Sequence, residues 1–66
     1  MQIIINDNPK TVEAPMTLQM LLRLESLEGR RIAVEHNGEI VPKSAYAETL
    51  LQDGDRLEIV HAIGGG

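Results

Sequence analysis

Three glycines, Gly64, Gly65 and Gly66, follow directly on the run Glu58–Ile63, and the sequence ends on Gly66. Glycine has no Cβ, so each of these residues can adopt backbone angles closed to other side chains. Such a stretch is a thread thin enough for a channel that excludes side chains. A carboxylate at its end can be approached from either side. That carboxylate is inert until it is activated. ATP can convert it to an acyl-adenylate, which a sulfur, nitrogen or oxygen nucleophile then attacks. The chemistry expected here is that of a substrate presented to another protein's active site. A frayed terminus or a linker-type glycine run has the same composition. The placement directly after a strand-like segment, with no polar spacer, favours the presented thread.

The remaining residues offer little chemistry of their own. There is no cysteine, which excludes disulfides, a thiol nucleophile and iron–sulfur ligation. His36 and His61 stand far apart with no ligand spacing around them, so no metal ligand is assigned. Asp53-Gly54-Asp55 lacks the ligand repeat of a calcium loop and reads as a turn. His36 reads as a surface residue at a strand end and His61 as an exposed strand residue. A general base would come from the protein that binds the tail. No nucleophile–base pair and no phosphate loop is present, so no catalytic residue is assigned and the chain is not expected to be an enzyme.

With 66 residues the chain is one domain, and its stability must come from aliphatic packing. The net charge is −4 with only six Lys and Arg, which argues against a nucleic-acid partner. The single aromatic, Tyr46, leaves no platform for stacking bases. It can pack on its own core or anchor a partner. No apolar run approaches the roughly 18 residues of a membrane span. The start, MQIIIND, has neither a basic segment nor a cleavage site of a signal peptide. A soluble protein of the cytoplasm is expected.

The elements that must carry the glycine thread can be read in order. Gln2–Asn6 is short and β-branched, the turn chemistry of Asn6–Pro9 follows, and Lys10–Ala14 alternates as the returning strand. Thr17 can cap a helix over Leu18–Leu27, with Leu18, Leu21 and Leu22 on one face and Leu24 widening the stripe. Gly29 is the expected stop. Arg31–Asn37 is a third strand, Asn37-Gly38 a tight turn and Glu39–Val41 a fourth strand. Lys43–Leu50 reads as an irregular or one-turn helical connection. Arg56–Ile63 is the last strand, with Leu57 and Ile59 on one face and Glu58 and Val60 on the other. The order β-β-α-β-β-β predicts an α+β domain, a mixed sheet of four to five strands with one main helix on one face.

The stretches NGEIVPKSAY (residues 37–46) and LQDGDRLEIVHAIGGG (residues 51–66), with TLQMLL at the helix start (residues 17–22), carry a resemblance. It covers essentially the whole chain. The sequence resembles the ThiS family of sulfur carriers in bacterial thiamine biosynthesis, within the wider ThiS/MoaD group of ubiquitin-like proteins. The resemblance implies a β-grasp domain over residues 1–63, with first and last strands side by side at the sheet centre, and a flexible tail over residues 64–66. It implies that Gly66 is adenylated by a ThiF-type adenylyltransferase using ATP and magnesium. Sulfur from a cysteine desulfurase pathway then replaces AMP and leaves a thiocarboxylate. Gly64 and Gly65 would thread the tail into that enzyme and into the thiazole synthase ThiG, which takes the sulfur. A partner that holds the tail must also grip its neighbourhood, so Val60, Ala62 and Ile63 are the further partner-binding candidates. The same tail chemistry would serve a molybdopterin-type sulfur carrier or a ubiquitin-like protein modifier.

Overall fold

The computed structural model describes residues 1–62. Ile63 and the tail expected over 64–66 lie outside the described residues. Five strands and one α-helix follow the expected order: β1 (Gln2–Ile5), β2 (Asn8–Thr11), α1 (Leu18–Leu24), β3 (Ile32–His36), β4 (Glu39–Val41) and β5 (Arg56–His61). A single 3₁₀ turn, Lys43–Ala45, occupies the connection before β5.

The sheet order is β2-β1-β5-β3-β4. β1 and β5 pair in parallel, with Ile4 opposite Arg56 and Ile5 opposite Leu57. All other pairs are antiparallel. The mixed sheet with adjacent first and last strands is therefore as expected.

Helix α1 covers one face. Thr17 caps it by accepting from the Met20 amide at 3.1 Å. Leu18, Leu21 and Leu22 are buried against Ile3, Val34, Leu57 and Ile59 of the sheet and against Val12, Met16 and Leu51. Leu24 does not join the stripe and is exposed. At about 100° per residue it lies well round the helix from Leu18 and Leu22. The helix also stops a turn earlier than expected, and Gly29 is not what stops it. Ser26 takes a left-handed conformation (φ +61°). The Ser26 amide then reaches the Arg23 carbonyl at 3.1 Å and the Leu27 amide reaches that of Leu22 at 2.7 Å. This reciprocal pair of hydrogen bonds is a Schellman ending.

The first hairpin also departs from expectation. Asn6 (φ +49°) and Asp7 (φ +69°) alone make the turn, so the returning strand begins at Asn8 rather than Lys10 and ends at Thr11. Pro9 lies inside this strand, opposite Ile4. It is tolerated because β2 is an edge strand, where a missing N–H need not break a ladder. The second hairpin is as expected, with Asn37 (φ +51°) and Gly38 (φ +88°) both in the left-handed region that a two-residue turn requires. Tyr46 packs against the core.

Candidate functional site

The region of interest is the end of β5, and the interior of the sheet positions it. β5 is flanked by β1 on one side and β3 on the other, so its backbone is held from both edges. On the β3 side the pairing runs from His36–Leu57 to Ile32–His61. One further hydrogen bond, from the Ala62 amide to the Arg31 carbonyl at 2.9 Å, holds the chain just past the last strand residue. On the β1 side the Asn6 amide donates to the Leu57 carbonyl at 2.9 Å. The Asn6 side chain then bonds Ile59 twice.

A second polar cluster fixes the start of β5. Asp55 is only 9% exposed, the one buried charged side chain among the described residues. Its Oδ2 lies 2.7 Å from His36 Nε2 and accepts from the Gln52 amide at 2.8 Å. Its Oδ1 accepts from Asn37 Nδ2 at 3.1 Å. Asn37 Oδ1 in turn accepts from the Arg56 amide at 2.9 Å. Burial pushes the Asp55 carboxyl up, but the hydrogen bonds from His36, the Gln52 amide and Asn37 outweigh it and leave its pKa lowered. This corrects the sequence reading of two residues. His36 is a half-buried partner of Asp55 rather than a free surface residue, and Asp55 is a tie between the β3–β4 turn and β5. Asp53, in the turn just before β5, accepts from the Gln2 amide at 2.7 Å.

The face of the sheet opposite α1 is open. Val60 is 56% exposed there, directly opposite the exposed Ala33. Ile40, 67% exposed, stands on the same face opposite Glu35, and Glu35 is opposite Glu58. Alternation along β5 puts Leu57 and Ile59 inward and Val60 outward, as the sequence predicts. Of the residues assigned to partner binding, Val60 and Ala62 are both exposed, at the last strand's end. Ile63, Gly64, Gly65 and the modification site Gly66 lie outside the described residues. His61 is exposed. Sequence reasoning missed Asn6 and Asp55, because the turn signals of Asn6–Pro9 and Gln52–Asp55, in which they lie, hide a long-range role.

A five-stranded mixed sheet around a central parallel β1–β5 pair, crossed on one face by a single helix, defines a β-grasp, ubiquitin-like domain with its last strand exposed along one face. The chain belongs to the ThiS family, whose model matches residues 3–66. It is 37% identical to the sulfur carrier protein ThiS of Escherichia coli over 68 residues, covering 100% of both chains. It is 48% identical to the sulfur carrier protein ThiS of Bacillus subtilis over 50 residues, 76% of each. It is also 48% identical over 66 residues to a thiazole synthase of Paramagnetospirillum magneticum, and there it spans 100% of its own length but 20% of the relative's. The crystal structure of the thiamine biosynthesis protein ThiS from Geobacter metallireducens superposes with a TM-score of 0.84 at 32% identity, covering 100% of both chains.

Proposed function

We propose that this chain is a sulfur carrier for thiazole formation in thiamine biosynthesis. Gly66 bears the reacting carboxylate. A ThiF-type adenylyltransferase, using ATP and magnesium, joins it to AMP. The outer sulfur of a persulfide from a cysteine desulfurase pathway attacks the adenylate and expels AMP, and a thiol then cleaves the resulting acyl disulfide, leaving a thiocarboxylate and forming a new disulfide. The chain contributes no acid or base to these steps; it is a co-substrate rather than an enzyme, and residues 1–63 serve as the handle for the tail at 64–66. Gly64 and Gly65 pass through the channels of the partner enzymes while Val60, Ala62 and Ile63 are gripped at their mouths. No helix among the described residues is long and apolar enough to cross a membrane, and the chain is assigned to the cytoplasm with its proposed partners.

The observation that carries this reading is the extent of the family match, which runs through residues 3–66 and so takes in all three glycines. The choice of thiazole synthase as acceptor is supported by the relatives of that name, which match the whole of this chain within a fifth of their own length. A thiocarboxylate ionises at neutral pH and keeps a nucleophilic sulfur on a carrier, so free sulfide is not required. The test is intact mass after incubation with ATP, a ThiF-type enzyme and a sulfur source. One sulfur-for-oxygen exchange confined to the last peptide is expected. An unchanged mass with an enzyme proven active on another carrier overturns the reading.

A further inference from the structure

Positive charge is unevenly placed on this acidic molecule. Of its six Lys and Arg, three are ion-paired: Lys10 with Glu25 at 2.8 Å, Arg23 with Glu28 at 2.9 Å and Arg56 with Asp7 at 2.8 Å. The other three, Arg30, Arg31 and Lys43, have no ion-pair partner among the described residues, and all three are exposed. They gather at one end of the sheet. Arg31 accepts the Ala62 amide through its carbonyl. Ile32, the next residue, is opposite His61. Lys43 follows β4, whose Val41 is opposite Val34, so it returns to the same end. This is the end at which β5 leaves the sheet.

Arg30 and Lys43 also share a cavity of about 110 Å³ with an apolar floor of Leu22, Leu27, Ile32 and Tyr46. The Schellman ending of α1 builds it, because it turns Leu27 back toward Leu22. One carboxylate, Glu28, stands in the wall. It does not neutralise the two cations, since Arg23 Nε and Nη2 and Gln19 Nε2 already donate to it.

We propose that this corner docks an acidic segment of the protein that receives the tail. An aliphatic side chain of that segment fills the cavity, and adjacent Asp or Glu carboxylates pair with Arg30, Arg31 and Lys43. Charge complementarity commits the site to an acidic partner: three cations without ion-pair partners among the described residues gather at one end of a chain of net charge −4. Such a field orients the chain during approach, with the β5 end leading, so the tail arrives first. The apolar floor of Leu22, Leu27, Ile32 and Tyr46 favours an occupant that brings an aliphatic side chain along with its carboxylates over a free anion, which would leave that floor uncovered.

The inference rests on the carrier reading for the identity of the partner, and one experiment separates the two. Purified ThiF-type enzyme and thiazole synthase from one organism are titrated with the wild type, the Arg30→Glu/Lys43→Glu double variant and the Arg30→Lys/Lys43→Arg double variant, at low and physiological salt. Unfolding midpoints of the three chains are recorded alongside; both positions are exposed, so these midpoints stay together. The reversal variant is expected to bind at least one enzyme roughly tenfold or more weakly, mainly through slower association, with a flatter salt dependence, and the conservative variant to bind as wild type. Equal affinity and equal salt dependence for wild type and reversal variant overturn the docking site, whatever happens to Gly66. Charge-dependent binding by a wild type that is never loaded with sulfur upholds the docking site and overturns the carrier reading. A wild type that binds neither enzyme overturns both.

Discussion

The side-chain amide of Asn6 pairs with the backbone of Ile59 in both directions, Nδ2 donating to the carbonyl at 3.0 Å and Oδ1 accepting from the amide at 2.8 Å. β1 ends at Ile5, so the side chain of the next residue continues the ladder to β5 while the main chain turns away. Asn suits the position twice over. Its amide mimics a peptide group, and it tolerates the left-handed φ of +49° better than most residues.

Asn6→Ala is therefore expected to destabilise the domain by about 2 kcal/mol or more, since it leaves two part-buried backbone groups of Ile59 without partners. Asn6→Gly relieves the backbone strain but loses the same hydrogen bonds. Urea titrations of both variants separate the two contributions. A midpoint for Asn6→Ala equal to wild type means that the side-chain ladder contributes nothing.

Asp55 predicts an acid limb of stability. Its carboxyl has a lowered pKa in the folded chain. The stability it contributes is then fully present above the unfolded value, about 3.9, and is lost as pH falls through the lower folded value. Asp55→Asn removes the charge, and at neutral pH it is expected to cost about 1–3 kcal/mol, because three charge-assisted hydrogen bonds weaken together. Below about pH 4 the gap between wild type and variant narrows. A gap that stays constant from pH 7 to pH 2 contradicts the assignment.

Val60 tests the open face of the sheet. The residue is more than half exposed, so Val60→Glu is expected to change stability by no more than about 0.5 kcal/mol. It adds a third carboxylate to the face that carries Glu35 and Glu58. Association with the proposed partner enzymes is expected to weaken roughly tenfold or more, because a charge is then desolvated at the centre of the proposed contact. Calorimetric titration beside a thermal melt reads both quantities, and an unchanged affinity removes Val60 from the partner-binding set.

The tail predicts an all-or-none result. One residue appended after Gly66 moves the carboxylate out of register with an active site built for a glycine end, and sulfur loading is expected to disappear while the fold is untouched. Intact mass and a thiamine-free growth assay read the outcome. Loading of the extended chain without trimming removes Gly66 as the reacting residue.

Much of the architecture was legible because its signals are local. Thr17 caps the first turn of the helix, Asn37-Gly38 supplies two left-handed residues, and the alternation through Arg56–His61 gives each side chain of β5 its face. Each of these depends on a few consecutive residues.

What the local pattern could not decide was set by contacts between distant parts of the chain. Asn6 and Ile59 are 53 positions apart, and His36 and Asp55 are 19 apart. Pro9 sits in a strand only because that strand falls at the sheet edge. Leu24 carries the composition of the core but turns away from it, since its place on the helix lies well round from Leu18 and Leu22. The gathering of Arg30, Arg31 and Lys43 at the end of β5 follows from strand pairing that no short window contains. Sequence determined which segments could form strands and helix, because those preferences reside in neighbouring residues. Only the folded chain decided which polar groups are buried together and where the unpaired charge lies, because both depend on which segments the hydrophobic core brings side by side.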